Sequence, residues 1–245
     1  MIKKRIQKLI NRFDKYKIDG YVIPKNDEFF SEYSRNDRLK TISNFTGSAG
    51  YSVILKDKYY LFVDGRYTIQ ADKESGKIFK IISYDKIVNC NLFKNLTLGV
   101  DPKILTSQQI KRYFSKHNKI KIIKENLIDQ VYKKKSVFHK PFFSIDEDIV
   151  GESYKEKLLK IKKYLNKNNS EFIFITAPEN VAWLLNIRGV DNPNSPIPNC
   201  NLLIDKKTNL YLICEKKKAK KIILEIVLCF IKSLITIIYY SLYYY

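Results

Sequence analysis

A chain of 245 residues suits two domains of ordinary size, each able to bury a core. Its 45 Lys and Arg outnumber 25 Asp and Glu, for a formal charge of +20, which invites a nucleic-acid reading. The charge is spread along the chain, and its densest run, 111–140, carries ten basic residues against two acidic ones with no ribonucleoprotein sheet signature, GxxG loop or zinc-finger spacing beside it; specific nucleic-acid recognition is therefore not expected.

In chain order, Ile2, Ile6, Leu9, Ile10 and Phe13 recur at steps of three and four and predict an amphipathic helix. Its charges run throughout, so it is not a signal peptide. Asp19 and Gly20 lead into a strand at 21–23. Residues 51–55 and 59–63, rich in aromatic and β-branched side chains around Lys56-Asp57-Lys58, predict a hairpin. Thr46-Gly47-Ser48-Ala49-Gly50 lacks the lysine of a phosphate-binding loop and precedes a strand, so it is read as a tight turn into that hairpin. Asp64 is a helix N-cap before a helix at 67–74, with Arg66 available to a carboxylate. Strands at 79–82 and 98–100 follow, then a helix from Ser107 with Thr106 and Gln109 as a capping box.

Around 133–148 a triple lysine, Pro141 and an acidic cluster interrupt the apolar periodicity and mark a linker. The second half then repeats the order of the first: a helix near 154–165, a strand at 172–176, and a hairpin of 201–204 with 210–213. Strand to hairpin is 30 residues in the first copy (21 to 51) and 29 in the second (172 to 201), which predicts two related α/β domains in tandem. The first copy continues for roughly 70 residues past its hairpin, but only 32 remain after Ile213, so the second is read as incomplete. Those last residues open on a lysine cluster, 216–221, and run into an apolar, Tyr-rich end. Residues 222–245 are long enough to span a membrane, yet Glu225 and Lys232 would each cost about 2.5 to 3.5 kcal/mol near a helix centre. Lys outnumbers Arg 38 to 7, the mark of A/T-rich coding, and such coding read in the wrong frame yields runs of Ile, Lys, Leu and Tyr. The expectation is that this tail was not selected as protein structure.

Cys90, Cys200, Cys214 and Cys229 form no CxxC pair, which fits free thiols in a reducing cytoplasm. His117 and His139 sit in no metal-ligand spacing. The most informative stretch is 177–198. Val181, Ala182, Leu184 and Leu185 with Trp183, the only tryptophan, predict a short buried helix. Pro193, Pro196 and Pro198 then stiffen a loop that carries Arg188 and Asp191, which either pair with each other or present charge outward.

The order W-L-L-N-x-R-G-x-D-x-P-x-x-P at 183–196 resembles the Xaa-Pro aminopeptidases of the creatinase/prolidase superfamily (peptidase family M24). Residues 19–33, then Arg38, FTGSAGYSVI at 45–54, LFVDGRYTIQA at 61–71, LGVDPKILT at 98–106 and NLIDQVYKKK at 126–135 resemble the first domain of that family in the same order. The resemblance runs from about residue 5 to about residue 214. It implies an α/β fold of two tandem creatinase/prolidase N-terminal-type domains, mixed sheets with flanking helices: 1–135, a linker at 136–150, an incomplete second domain at 151–215 and the tail at 216–245. Enzymes of the family remove an N-terminal residue that precedes proline, with two manganese or zinc ions held by two Asp, one His and two Glu in a C-terminal metallopeptidase domain. No stretch of this sequence resembles that domain, so no cofactor and no catalytic residue is expected here, and the chain alone is expected to be inactive. By resemblance, Arg66, Arg188 and Asp191 lie near substrate or an interface, and proline-containing peptides and homodimer contacts are the implied partners. The alternative is a stand-alone binding or scaffold module, tethered to a membrane by 222–245.

Overall fold

The computed structural model describes residues 2–31, 33–88, 91–132, 140–220, 222 and 226–227. The chain divides into two compact units, Met1–Lys135 and Ser136–Tyr245.

The first unit begins with α1 (Ile2–Ile10) and α2 (Phe13–Tyr16), whose three- and four-residue spacing puts Ile2, Ile6, Leu9 and Phe13 into one core. It continues through β1 (Gly20–Pro24), α3 (Arg38–Ser43), β2 (Gly50–Leu55), β3 (Tyr59–Val63), α4 (Thr68–Ser75), β4 (Lys80–Ser83), β5 (Thr97–Val100), α5 (Ser107–Ile110), β6 (Lys119–Ile122) and α6 (Leu127–Val131). The sheet order is β4-β3-β2-β1-β5-β6. β1, β2 and β3 pair antiparallel in sequence, whereas β4, β5 and β6 join parallel.

Strand alternation divides the apolar residues between two faces. Tyr21, Ile23, Ile54, Leu61 and Val63 face one core with Leu39, Ile42, Phe45 and Leu127. Val22, Tyr51, Val53, Tyr60 and Phe62 face the other, with Phe93, Leu105 and Phe114. Each such buried side chain contributes about 1.5–3 kcal/mol, so this sheet is covered on both sides. The expected capping box is present: Thr106 accepts from the Gln109 N–H at 3.1 Å and Gln109 accepts from the Thr106 N–H at 2.9 Å. The helix expected from Ser107 is α-helical over Ser107–Ile110 and then widens into a π turn at Lys111–Ser115. The helix expected at 67–74 is a 3₁₀ turn, Gly65–Tyr67, followed by α4.

In the second unit, β7 (Phe143–Ser144) and α7 (Glu147–Val150) occupy part of the segment read as a linker, and Phe142 is fully buried in this unit's core. Then come α8 (Tyr154–Lys167), β8 (Phe172–Ile175), α9 (Pro178–Leu185), β9 (Ile187–Arg188), β10 (Asn201–Asp205), β11 (Leu210–Ile213), α10 (Lys216–Ala219) and β12 (Ile226–Val227). The sheet order is β12-β11-β10-β8, with a separate two-stranded ribbon of β7 and β9. β8 and β10 pair antiparallel, as do β10 and β11, while β11 and β12 are parallel. Those are the relations among β1, β2, β3 and β4, so the tandem repeat inferred from spacing is a repeat of topology. Among the described residues the second sheet has no counterpart of β5 and β6.

One expectation needs correction. Val181, Ala182, Leu184 and Leu185 are buried, but Trp183 is 57% exposed. On a helix of 3.6 residues per turn, residue 183 points away from the face shared by 181, 184 and 185.

Candidate functional site

The loop with Arg188 and Asp191 is built from α9 onward. Pro at its first turn and Asn186 in the left-handed region (φ 53°) bound this helix. The Asn186 side chain accepts from Lys157 Nζ at 2.6 Å and donates to the Glu152 carbonyl at 2.9 Å, which fixes where the chain leaves. Lys157 Nζ also donates to the Trp183 carbonyl at 2.7 Å and lies 4.5 Å from the Trp183 ring centroid. Burial, with Arg188 and Lys160 adding repulsion and Glu152 opposing it, draws the Lys157 pKa below the ordinary lysine value.

β9 pairs with β7 in register Phe143 to Arg188, so this stretch is neither helix nor central strand. The Arg188 guanidinium donates to the carbonyls of Ala182 (3.1 Å) and Ile187 (2.9 Å). The Gly189 N–H donates to the Pro196 carbonyl at 3.0 Å, and a Cβ on Gly189 would sit 2.8 Å from Pro198 Cα, so the two sides of the loop touch there. Asp191 accepts from Lys218 Nζ at 2.7 Å and from the Asn199 N–H at 2.7 Å, and the Asp191 and Lys218 side chains are only 4% and 5% exposed. Its charge is thus spent on tying the loop to α10, and the pair that closes the turn is Asp191 with Lys218. Arg188 is half-buried on the ribbon.

In the first unit, Asp64 caps the turn as expected: its carboxylate accepts from the Arg66 N–H at 3.0 Å and from Arg66 Nε at 2.8 Å. Arg66 and Asp64 side chains are 75% and 40% exposed. Hydrogen bonds from Arg66 hold the Asp64 carboxyl below the usual range. Nearby, the Thr46 N–H and hydroxyl both bond Glu74, at 2.7 and 2.6 Å. A Cβ on Gly47 would meet the Phe45 ring at 2.3 Å, so the Thr46–Gly50 glycines serve close packing into the hairpin.

A cavity of about 310 Å³ opens beyond the carboxyl ends of the parallel strands β1, β5 and β6, lined by Glu28, Asp101, Lys103, Lys124, Asn126 and Asp129 among others. Strand order reverses at β1, where open α/β sheets form their crevices. Arg38, 2% exposed, holds two of the lining carboxylates, with bonds to Asp129 at 3.0 and 2.7 Å and to Glu28 at 2.5 Å. Burial works against the Arg38 charge and the two carboxylates outweigh it, so the guanidinium is held charged. Burial pushes the Asp101 carboxyl up, opposed by the Lys103 N–H and the Asn126 amide. The sequence placed Arg38 only as a motif residue; its partners lie 10 and 91 positions away and leave no local signal.

In the cavity Glu28 and Asp129 are tied to Arg38 and Asp101 to Asn126, in the second unit Asp191 is tied to Lys218, and no group of three or more His, Cys, Asp or Glu among the described residues is arranged to hold a metal ion. They do not fit a two-metal centre, and no metal chemistry is assigned to them. His117 is exposed; His139, Cys90 and Cys229 lie outside the described residues, as does most of the stretch considered as a membrane anchor. No helix among the described residues is long and apolar enough to cross a membrane.

Fold and sites together define a tandem pair of mixed-sheet α/β domains. Two family models, each described as the creatinase/prolidase N-terminal domain, match residues 5–130 and 133–241, and the chain belongs to the creatinase/prolidase N-terminal domain family. The second match runs past residue 214, where the motif resemblance ends. The chain is 32% identical over 215 residues to a probable Xaa-Pro aminopeptidase P of Laccaria bicolor, covering 79% of this chain and 33% of that protein. It is also 32% identical over 219 residues to aminopeptidase P1 of Lotus japonicus, covering 82% and 32%. The chain therefore spans about a third of the length of the curated relatives it matches. An X-prolyl aminopeptidase from Caenorhabditis elegans, described as a cytosolic enzyme with a di-nuclear active site, shares the fold with a TM-score of 0.81 at 24% identity, over 90% of this chain and 40% of that one.

Proposed function

We propose that this chain supplies the paired non-catalytic N-terminal domains of a Xaa-Pro aminopeptidase, acting in the cytoplasm on peptides with proline in second position. The observation that carries the reading is the match of each unit to a creatinase/prolidase N-terminal domain model, together with the likeness to Xaa-Pro aminopeptidases. In it, 1–135 and 151–215 work as successive domains joined by 136–150, and bond cleavage belongs to a separate metallopeptidase domain that binds manganese or zinc. Arg66 and Arg188 face substrate or a subunit contact, supported by the exposed Arg66 side chain and the half-buried position of Arg188. Asp191 acts through the loop: buried against Lys218, it holds Arg188 in place.

The purified chain, incubated with manganese or zinc and a short peptide with proline second, tests the reading. No release of the N-terminal residue is expected. Metal-dependent release by the chain alone would overturn it.

A further inference from the structure

We propose that Cys200 and Cys214 form a cross-strand dithiol that closes to a disulfide on reaction with a small-molecule disulfide, locking the Arg188 loop onto the second sheet. The argument starts from the register of β10 and β11. Asn201 faces Ile213, Leu202 faces Leu212, and so on to Ile204 with Leu210. One step beyond the open end of that ladder, Cys200 faces Cys214.

The type of pair follows from the closed end. The Asp205 N–H donates to the Asn209 carbonyl at 3.3 Å, which makes residues 205 and 209 a hydrogen-bonded pair. Hydrogen-bonded and non-hydrogen-bonded pairs alternate along an antiparallel ladder. Five steps on, residues 200 and 214 fall on a non-hydrogen-bonded position, and no backbone bond joins them. At such positions Cα atoms are about 4.5 Å apart and side chains are at their closest. That lies within the roughly 4.4–6.8 Å that a disulfide spans.

Both side chains lie on the same face. Cys200 is fully buried in the second core and Cys214 packs against that core, half-buried. Both are free thiols. Burial pushes the Cys214 thiol up to about 12 and Cys200 well above its ordinary value, so both stay protonated and closure is slower than for an exposed thiol.

The chemistry balances with a disulfide such as oxidised glutathione as oxidant. The Cys214 sulfur, the more accessible one, attacks as thiolate and one glutathione thiolate leaves. The Cys200 thiolate then attacks the Cys214 sulfur, the protein S–S bond forms, and the second glutathione leaves; the two protein protons end on the two released thiols. The bond would join the end of the 189–200 loop to the residue two before α10, whose Lys218 already holds Asp191.

The full chain carrying C90S and C229S is incubated with oxidised glutathione, alkylated and digested with trypsin, which separates the two cysteines at Lys206 and Lys207. The expected product is the cross-linked pair of peptides with two hydrogens lost, and with C200A a glutathione adduct that persists on Cys214. As a readout independent of the variants, the chain with all four cysteines gives the same cross-linked pair. A glutathione adduct that persists on Cys214 while Cys200 is present, full alkylation of both thiols, or linkage of either to Cys90 or Cys229 would overturn the proposal.

Discussion

Replacing Asp191 with alanine leaves the Lys218 ammonium without its carboxylate in a site where that side chain is 5% exposed. Breaking a buried ion pair by removing one partner costs about 3–5 kcal/mol. The Asn199 N–H loses its acceptor too, worth about 1–3 kcal/mol if it stays dry. Because Lys218 has a long stem and sits on a helix of only four residues, it can swing partly to water, so the total should stay at about 3–5 kcal/mol. For a domain of this size that lowers the melting temperature by at least about 12 °C. Trp183, the only tryptophan, lies in the second unit, so urea unfolding followed by its fluorescence reads this unit without interference from the first. The double change D191L with K218M removes both charges and should return to within about 1–2 kcal/mol of the parent chain. A loss below about 1 kcal/mol for D191A, the size expected of an exposed pair, would refute the assignment of Asp191 as the residue that holds the loop.

Other consequences are as direct. Gly189→Ala forces a Cβ against Pro198 and the Phe142 ring and should cost about 1–3 kcal/mol, read by the same fluorescence assay. Lys157→Met removes two charge-assisted bonds and the cation over Trp183; about 1.5–3 kcal/mol should be lost and the Trp183 emission should shift. Glu74 titrates below the ordinary glutamate range because bonds from Thr46 and Gln70 outweigh the effect of burial. Its stabilising contribution is therefore present above the ordinary carboxylate pKa and is lost as pH falls through the lowered native value. In T46V, NMR titration should find the Glu74 pKa moved up toward the ordinary value; an unchanged value would contradict the hydrogen-bond cause.

Elements with a strict period were legible in the sequence. The 51–55 and 59–63 hairpin appears within a residue of where alternation puts it, and the first helix starts where the 3.6 period puts it but ends at Ile10, with Phe13 opening a second short helix on the same core. The relation between the two halves was legible as spacing, since strand order follows chain order in both hairpins. Trp183 was misplaced because an eight-residue helix with five apolar side chains in a row was read by composition; its wheel sets residue 183 opposite 181, 184 and 185. The Asp191 to Lys218 and Arg38 to Asp129 pairs were not legible. They join positions 27 and 91 residues apart, and the fold alone makes them neighbours. Arg66 and Arg188 could be named from motifs, but exposure and partners had to come from the structure.

The central claim is tested most directly by reconstitution. The part of the Caenorhabditis elegans enzyme that this chain does not cover is purified separately, and hydrolysis of a peptide with proline second is measured with and without this chain added. The account predicts no hydrolysis by this chain alone and a kcat/KM for the mixture well above that of the separately purified part by itself. A rate unaffected by adding the folded chain at any concentration, or cleavage by the chain alone, would contradict it.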